Sequence, residues 1–238
     1  MNCFKWFFGK VHSYISIKKA IASMEWIDLD VSGDSSKDIY ERLFTSKVKN
    51  RDYIEKQKNI AVLRLPASYE EYVSGKTKQS LRTNINKAKK NGYYCSFFFG
   101  TEFFDDIMEI NRSSEYRGGR VMEDRYTDAS LVKEFLNTDP LLFGAFTSEG
   151  KLISYIHVLR INALLITNKI LGHADYLDNG LMYFMISQFV DTAIRMSEKA
   201  TYIMYGFFLV GRSHAGYQYF KERCGFKGMN IRFHFHCS

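Results

Sequence analysis

Apolar and polar positions change period along the 238 residues, and each change marks an element. Asn59–Leu65 (NIAVLRL) is a short, nearly continuous apolar run ended by Pro66, the pattern of a buried strand. Ser68 to Glu71 has the form of a capping box and opens a helix that Gly75 interrupts; a second helix begins near Thr77 and stops at Asn91-Gly92. Tyr93–Phe99 (YYCSFFF) has the aromatic content of a strand. Thr101 is placed to cap a helix running to about Glu115, with Phe104, Ile107, Met108 and Asn111 spaced along it. Arg117–Asp124 reads as a loop, and Asp128 as the cap of a short helix over Ala129–Asn137. Leu141–Phe146 and Leu152–Ile161 flank the turn Ser148-Glu-Gly-Lys151 and make a hairpin, to which Leu164–Ala174 adds a third antiparallel strand. A polar turn, Asp175–Gly180, then opens a long helix from Leu181 to about Ser197. Strand Thr201–Tyr205, helix Ser213–Arg223 and strand Met229–His236 complete the chain. From Tyr93 the order is β, α, α, β, β, β, α, β, α, β.

The length suffices to bury a core. Residues 32–37 (SGDSSK) are the loosest stretch, and residues 47–58 are heavily charged. This predicts an extension over 1–58 outside the main sheet, and a domain over 59–238. The opening aromatics Phe4, Trp6, Phe7 and Phe8 form too short a run for a secretory leader or a membrane span. The four cysteines, Cys3, Cys95, Cys224 and Cys237, are not at metal-ligand spacing, which fits reduced thiols in a cytoplasm. The net charge of +7 favours an anionic partner such as phosphate or nucleic acid. Oligomeric state is not legible.

Several groups can carry chemistry. Lys76, Lys78, Arg82, Lys87, Lys89 and Lys90 occur without an acid between residues 76 and 91. Leu81, Ile85 and Ala88 form the apolar stripe of that helix, so its charges face outward, either as a solvated surface or as phosphate contacts through Arg82, Lys87 and Lys90. Strand alternation puts His173 and Asp175 on one face beside the polar turn, as a base and its orienter or as a solvated pair. Asn179, Gly180, Leu181 and Met182 form the turn that opens the long helix, where unpaired amides and the helix dipole favour phosphate. Arg117 and Arg120 flank Gly118-Gly119 and can act as an anion clamp on a substrate. His234 and His236 share a strand face but do not make a metal site, and none is expected. There is no Gly-x-Ser-x-Gly elbow and no Walker loop.

Phe220-Lys-Glu-Arg-Cys-Gly-Phe226 resembles the helix-to-strand ending of the GNAT acyltransferases, and more closely the Phe-Lys-x-x-x-Gly ending of their Fem-type branch. Leu65–Tyr72 followed by Leu81–Gly92 is similar to the basic helix that precedes the catalytic half of Fem-like and other single-chain acyltransferases. The resemblance covers roughly residues 59–238. It implies an α/β (α+β) fold, a mixed sheet flanked by helices and splayed between Leu164–Ala174 and Thr201–Tyr205. It also implies transfer of an acyl or aminoacyl group to an amine or hydroxyl. The donor would be CoA-type or tRNA, and the acceptor a small molecule or glycan, an amino sugar among them. No cofactor would be tightly bound; acyl-CoA would be the co-substrate. The family's phosphate loop, Arg/Gln-x-x-Gly-x-Gly/Ala, is reduced here to Gly180, with Asp175 and Asp178 adding negative charge; this argues against ordinary acetyl-CoA. The chain is too short for the two GNAT halves of complete Fem-type enzymes. In the family a tyrosine on the helix that matches Ser213–Arg223 often protonates the leaving group. The resemblance offers Tyr219 for that role, with Tyr217 nearby, and alignment on Gly225-Phe226 offers Lys221 instead. The alternative is a non-catalytic scaffold that holds an anionic partner.

Overall fold

A computed structural model describes residues 15–49, 51–117, 120–196, 198–208 and 215–236. Residues 15–22 are helical. The elements that follow are β1 (Glu25–Val31), α1 (Asp34–Phe44), β2 (Tyr53–Arg64), α2 (Tyr69–Val73), α3 (Gln79–Lys90), β3 (Tyr94–Phe98) and α4 (Phe104–Arg112). Next come the short strands β4 (Tyr116–Arg117) and β5 (Arg120–Val121), helices α5 (Asp124–Thr127) and α6 (Ala129–Leu136), and strands β6 (Leu142–Phe146), β7 (Leu152–Ile161) and β8 (Leu164–Gly172). A 3₁₀ turn (Ala174–Asn179) leads into α7 (Leu181–Arg195), β9 (Tyr202–Phe207), α8 (Ala215–Cys224) and β10 (Lys227–Phe235). The expected caps at Ser68 and Asp128 are at work, whereas Thr101 lies inside a 3₁₀ turn and caps no helix. Ser68 Oγ accepts from the Glu71 amide at 3.2 Å, although the Glu71 carboxylate reaches the Ala67 amide rather than that of Ser68. Asp128 accepts from the amides of Ser130 and Leu131.

The main sheet has eight strands in the order β1-β10-β2-β9-β8-β7-β6-β3. It is mixed: β1 with β10 and β8 with β9 are parallel, and the remaining pairs are antiparallel. The β8–β9 ladder covers Leu164–Ile166 against Tyr202–Met204. Past it β8 stays with β7 as far as Gly172, and β9 stays with β2 as far as Phe207. The two strands therefore part, and the sheet opens at their C-terminal ends. At the fork Thr167 Oγ1 donates to Met204 O at 3.0 Å, satisfying a carbonyl that the ladder no longer reaches. On one face the core gathers Phe184, Met185 and Phe189 of α7 with Leu81 and Ile85 of α3. On the other, Tyr40 packs between Phe233 and Phe235, and Ile107, Ile110, Val132 and Leu136 cover the β6–β7 end.

One expectation is corrected. From Glu25 onward the expected extension does not stand outside the sheet: β1 pairs along β10, its Ile27, Leu29 and Val31 are buried, and β2 runs straight through residue 58. Tyr53–Lys58 alternates half-buried and exposed positions, so the charges that read as an extension are the solvent side of a strand. Among the described residues no helix is long and apolar enough to cross a membrane.

Candidate active site in the sheet splay

The parting of β8 and β9 leaves a cavity of about 480 Å³, within the range of small-molecule sites. Ile170, Leu171 and Gly172 of β8 form one wall, Tyr205 of β9 the other. Leu177 of the 3₁₀ turn and Met182 of α7 close one end, and Gly216, Tyr217 and Phe220 of α8 another. Ser114, Tyr116 and Arg117, from α4 to β4, bound the rest. Gly172 is needed here, because a Cβ would lie 2.6 Å from Met182 Sδ and 3.1 Å from a Leu177 methyl.

Arg117 is the charged group of the lining. Its Nη1 donates to Gly172 O at 2.8 Å, and its Nη2 donates to Ile110 O at 2.6 Å and Ser113 Oγ at 2.9 Å. Ser113 Oγ also accepts from the Ala174 amide at 3.0 Å. The guanidinium thus ties the end of α4 to the end of β8 through neutral acceptors. Its Nε is buried without a partner, and among the described residues no carboxylate forms an ion pair with it. Burial pulls its pKa down, with Tyr155 and Tyr217 acting in the opposite direction; a guanidinium keeps its charge regardless. Tyr217 therefore shares the electrostatic surroundings of Arg117.

Lys221 lies one side chain behind the cavity. Its residue is 6% exposed, its Nζ donates to Phe207 O at 2.6 Å, and it sits 4.7 Å from the ring centre of Tyr205. Burial lowers its pKa to about 8. Arg117 and Lys221 thus bracket the splay as two cations, neither of which has an ion-pair partner among the described residues.

The other expected residues take different places. His173 is buried and outside the cavity lining. Its Nδ1 accepts from the Asp175 amide at 3.3 Å, and its Nε2 lies 3.2 Å from Glu109, which Lys151 holds at 2.7 Å. The Asp175 carboxylate is 3.9 Å from Nδ1 and is exposed, so the backbone, not the carboxylate, holds the ring on that side. Tyr219 turns away from the cavity to stack with Arg223, and lines a shallow groove with Lys76 and Thr83. Asn179 Nδ2 donates to Tyr93 Oη at 3.3 Å, Leu181 is buried, and Met182 reaches the cavity. Gly180 has φ +75, and a Cβ there would lie 2.3 Å from Asn84 O. Helix α3 therefore presses against the turn where phosphate was expected. Lys87 Nζ donates to Asp178 O at 2.5 Å, Arg82 holds the carbonyls of Val73 and Gly75, and Lys90 is exposed. The side chain of Arg120 lies outside the described residues, as do Gly118 and Gly119. Sequence reasoning passed over Tyr205, Leu177 and Gly216, because the walls of a splay are ordinary apolar and small positions until two strands are known to part.

His234 and His236 lie 2.7 and 2.9 Å from Asp28 and Asp30 on β1. Among the described residues no cluster of three or more His, Cys, Asp or Glu side chains could hold a metal ion.

The sequence matches no family model and no curated protein. Solved structures do match. A crystal structure of FemX overlaps 71% of this chain and 59% of its own, at 11% identity and a TM-score of 0.54. L-PGS from Bacillus licheniformis overlaps 79% of this chain and 62% of its own, at 13% identity and a TM-score of 0.51. The fold is GNAT-like, shared with these two structures. A tandem GNAT protein of the clavulanic acid biosynthesis pathway overlaps 89% of this chain and 60% of its own, at 10% identity and a TM-score of 0.43. The chain spans about three-fifths of the length of these structures.

Proposed function

We propose that the chain is an acyltransferase that moves an acyl or aminoacyl group to an amine or hydroxyl acceptor inside the splay cavity. The observation that carries this is a pair of cations without an ion-pair partner among the described residues, Arg117 in the lining and Lys221 behind Tyr205, at a largely apolar cavity between parted strands. Acyl transfer forms a bond from the acceptor's nitrogen or oxygen to the acyl carbon and breaks the bond to the leaving sulfur or oxygen. Negative charge builds on the leaving atom, and fixed positive charge in a dry site stabilises it. In this reading Arg117 faces the acceptor and Lys221 supplies positive potential on the leaving-group side. The Tyr217 hydroxyl, in the cavity lining, takes the nucleophile's proton and passes its own to the leaving atom.

The donor is the open choice between a CoA-type thioester and an aminoacyl-tRNA ester. Helix α3 packed against Gly180 crowds the place where a CoA pyrophosphate would sit, and Asp175 and Asp178 add negative charge beside it. Both features favour an ester donor whose phosphates lie elsewhere, over the basic helix. A non-catalytic scaffold holding an anionic partner is the second reading, and the same basic helix supports it. The test is thermal stabilisation by acetyl-CoA, a long-chain acyl-CoA and a mixture of aminoacyl-tRNAs, added separately. The proposal expects one class to stabilise the wild type and to do so less in Lys221→Met. Stabilisation by uncharged tRNA equal to that by aminoacyl-tRNA, with neither CoA active, would favour the scaffold.

A further inference from the structure

The acceptor side of the cavity has a mixed chemistry of its own. The mouth carries Tyr116, Leu177 and Tyr217, which are 59%, 41% and 46% exposed. Large apolar side chains grouped at the rim of an apolar cavity mark a surface that a ligand covers. Deeper in, Ile170 and Leu171 offer no hydrogen-bonding side chain. A ligand hydroxyl set against these two side chains would lose its water without a partner, whereas the hydroxyl-bearing residues of the lining are Ser114, Tyr116, Tyr205 and Tyr217. Beside this apolar lining stands Arg117, whose hydrogen bonds go to two carbonyls and a hydroxyl, with no carboxylate paired to it among the described residues. Neutral acceptors orient a guanidinium without neutralising it. A ligand with an apolar body and one anionic group answers both features. A cationic ligand would meet repulsion from Arg117 and Lys221.

We propose that the cavity binds an amphiphile, with a carboxylate or phosphate monoester facing Arg117 and the apolar body lying along Ile170, Leu171, Leu177 and Tyr217. Naming this amphiphile as the acceptor rests on the transferase reading; its binding does not. Gly216 provides the variant that tests it. Gly216 lines the cavity, and a Cβ there meets no atom of the described residues within 4 Å, so a larger side chain has room at this wall.

The experiment is calorimetric titration of the full chain with dodecanoate, dodecyl phosphate, dodecylammonium and dodecyl maltoside, each kept monomeric. The expected result is that an anionic probe binds at least about tenfold more tightly than the cationic and neutral ones, equivalent to ~1.4 kcal/mol. Gly216→Leu should lower that affinity by a similar factor with its melting temperature unchanged. Arg117→Lys should narrow the preference for the anion; if it melts early because α4 and β8 come apart, Gly216→Leu still decides. Equal binding of dodecylammonium, or Gly216→Leu binding like the wild type, overturns the proposal. Flotation with phosphatidylcholine vesicles, with and without phosphatidic acid, assigns the source. Binding that needs phosphatidic acid and is lost in Gly216→Leu indicates a bilayer lipid, whereas monomer binding without flotation indicates a soluble amphiphile. An anionic probe that binds while no donor does retains this site and removes the transferase reading; a donor that binds while no probe does has the opposite meaning.

Discussion

Lys221 and His157 are polar groups the interior holds on different terms, and each gives a distinct test. Lys221 titrates near pH 8 because burial disfavours its charge. If its ammonium supports the leaving group, turnover falls as pH rises through about 8. Lys221→Arg should lack that limb, and Lys221→Met should lose about 10²-fold in rate. The same limb in Lys221→Arg would assign the titration to another group. His157 is a matter of stability: burial pulls its pKa to about 4. The unfolded chain takes up this proton near its ordinary pKa of about 6.5, and the folded one only near 4. Stability is therefore lost as pH falls through that window, by up to ~3 kcal/mol. Urea titrations across the window should show a shallower loss in His157→Gln, and parallel curves would contradict the assignment. Among single residues named from the sequence, Arg117 lies in the cavity lining and Lys221 is buried behind it. His173 and Tyr219 were not placed correctly by pattern alone. Strand alternation gives the face of His173 but not that Glu109 and a backbone amide already occupy its ring, and a helix register one position out turns Tyr219 from the cavity to Arg223.

Elements were the most legible level. The hairpin β6–β7, strand β8, helix α7 and the caps at Ser68 and Asp128 all stand where changes of period and turn residues put them. The relation between elements was not legible, and α3 shows why. Its basic composition suggested a free cationic face, yet Arg82 and Lys87 are tied to backbone carbonyls and the Asn84 backbone presses on Gly180. Gly180 is required both by its positive φ and by this contact. Gly180→Ala should therefore cost about 2–4 kcal/mol, combining left-handed strain with overpacking. A urea midpoint shift worth less than ~0.5 kcal/mol would mean that α3 yields easily. Donor affinity cannot be read from that variant, whereas Lys90→Gln changes charge on an exposed position and should leave stability unchanged.

For the whole molecule, the splayed mixed sheet was expected from the resemblance to the GNAT acyltransferases that the strand and helix order from Tyr93 supports. The part missed was the N-terminal region, whose charged strand looked like a tail. Because β1 and the first half of β2 complete the sheet and Tyr40 fills the core between Phe233 and Phe235, a chain beginning at residue 59 should not fold; its circular dichroism and solubility would show this. A soluble, cooperatively melting 59–238 fragment would restore the boundary. The splay then joins the scales: two half-sheets part, a cavity opens, and two cations without an ion-pair partner among the described residues stand in and behind its lining. The most direct measurement is donor consumption, the loss of thioester or aminoacyl ester in the presence of a mixed extract of small molecules and lipids as acceptors. The account predicts that the wild type consumes one donor class, and that Lys221→Met and Gly216→Leu, both folded, do so at least about tenfold more slowly. Consumption of neither donor class, or equal rates in all three proteins, would contradict a transfer site in the splay.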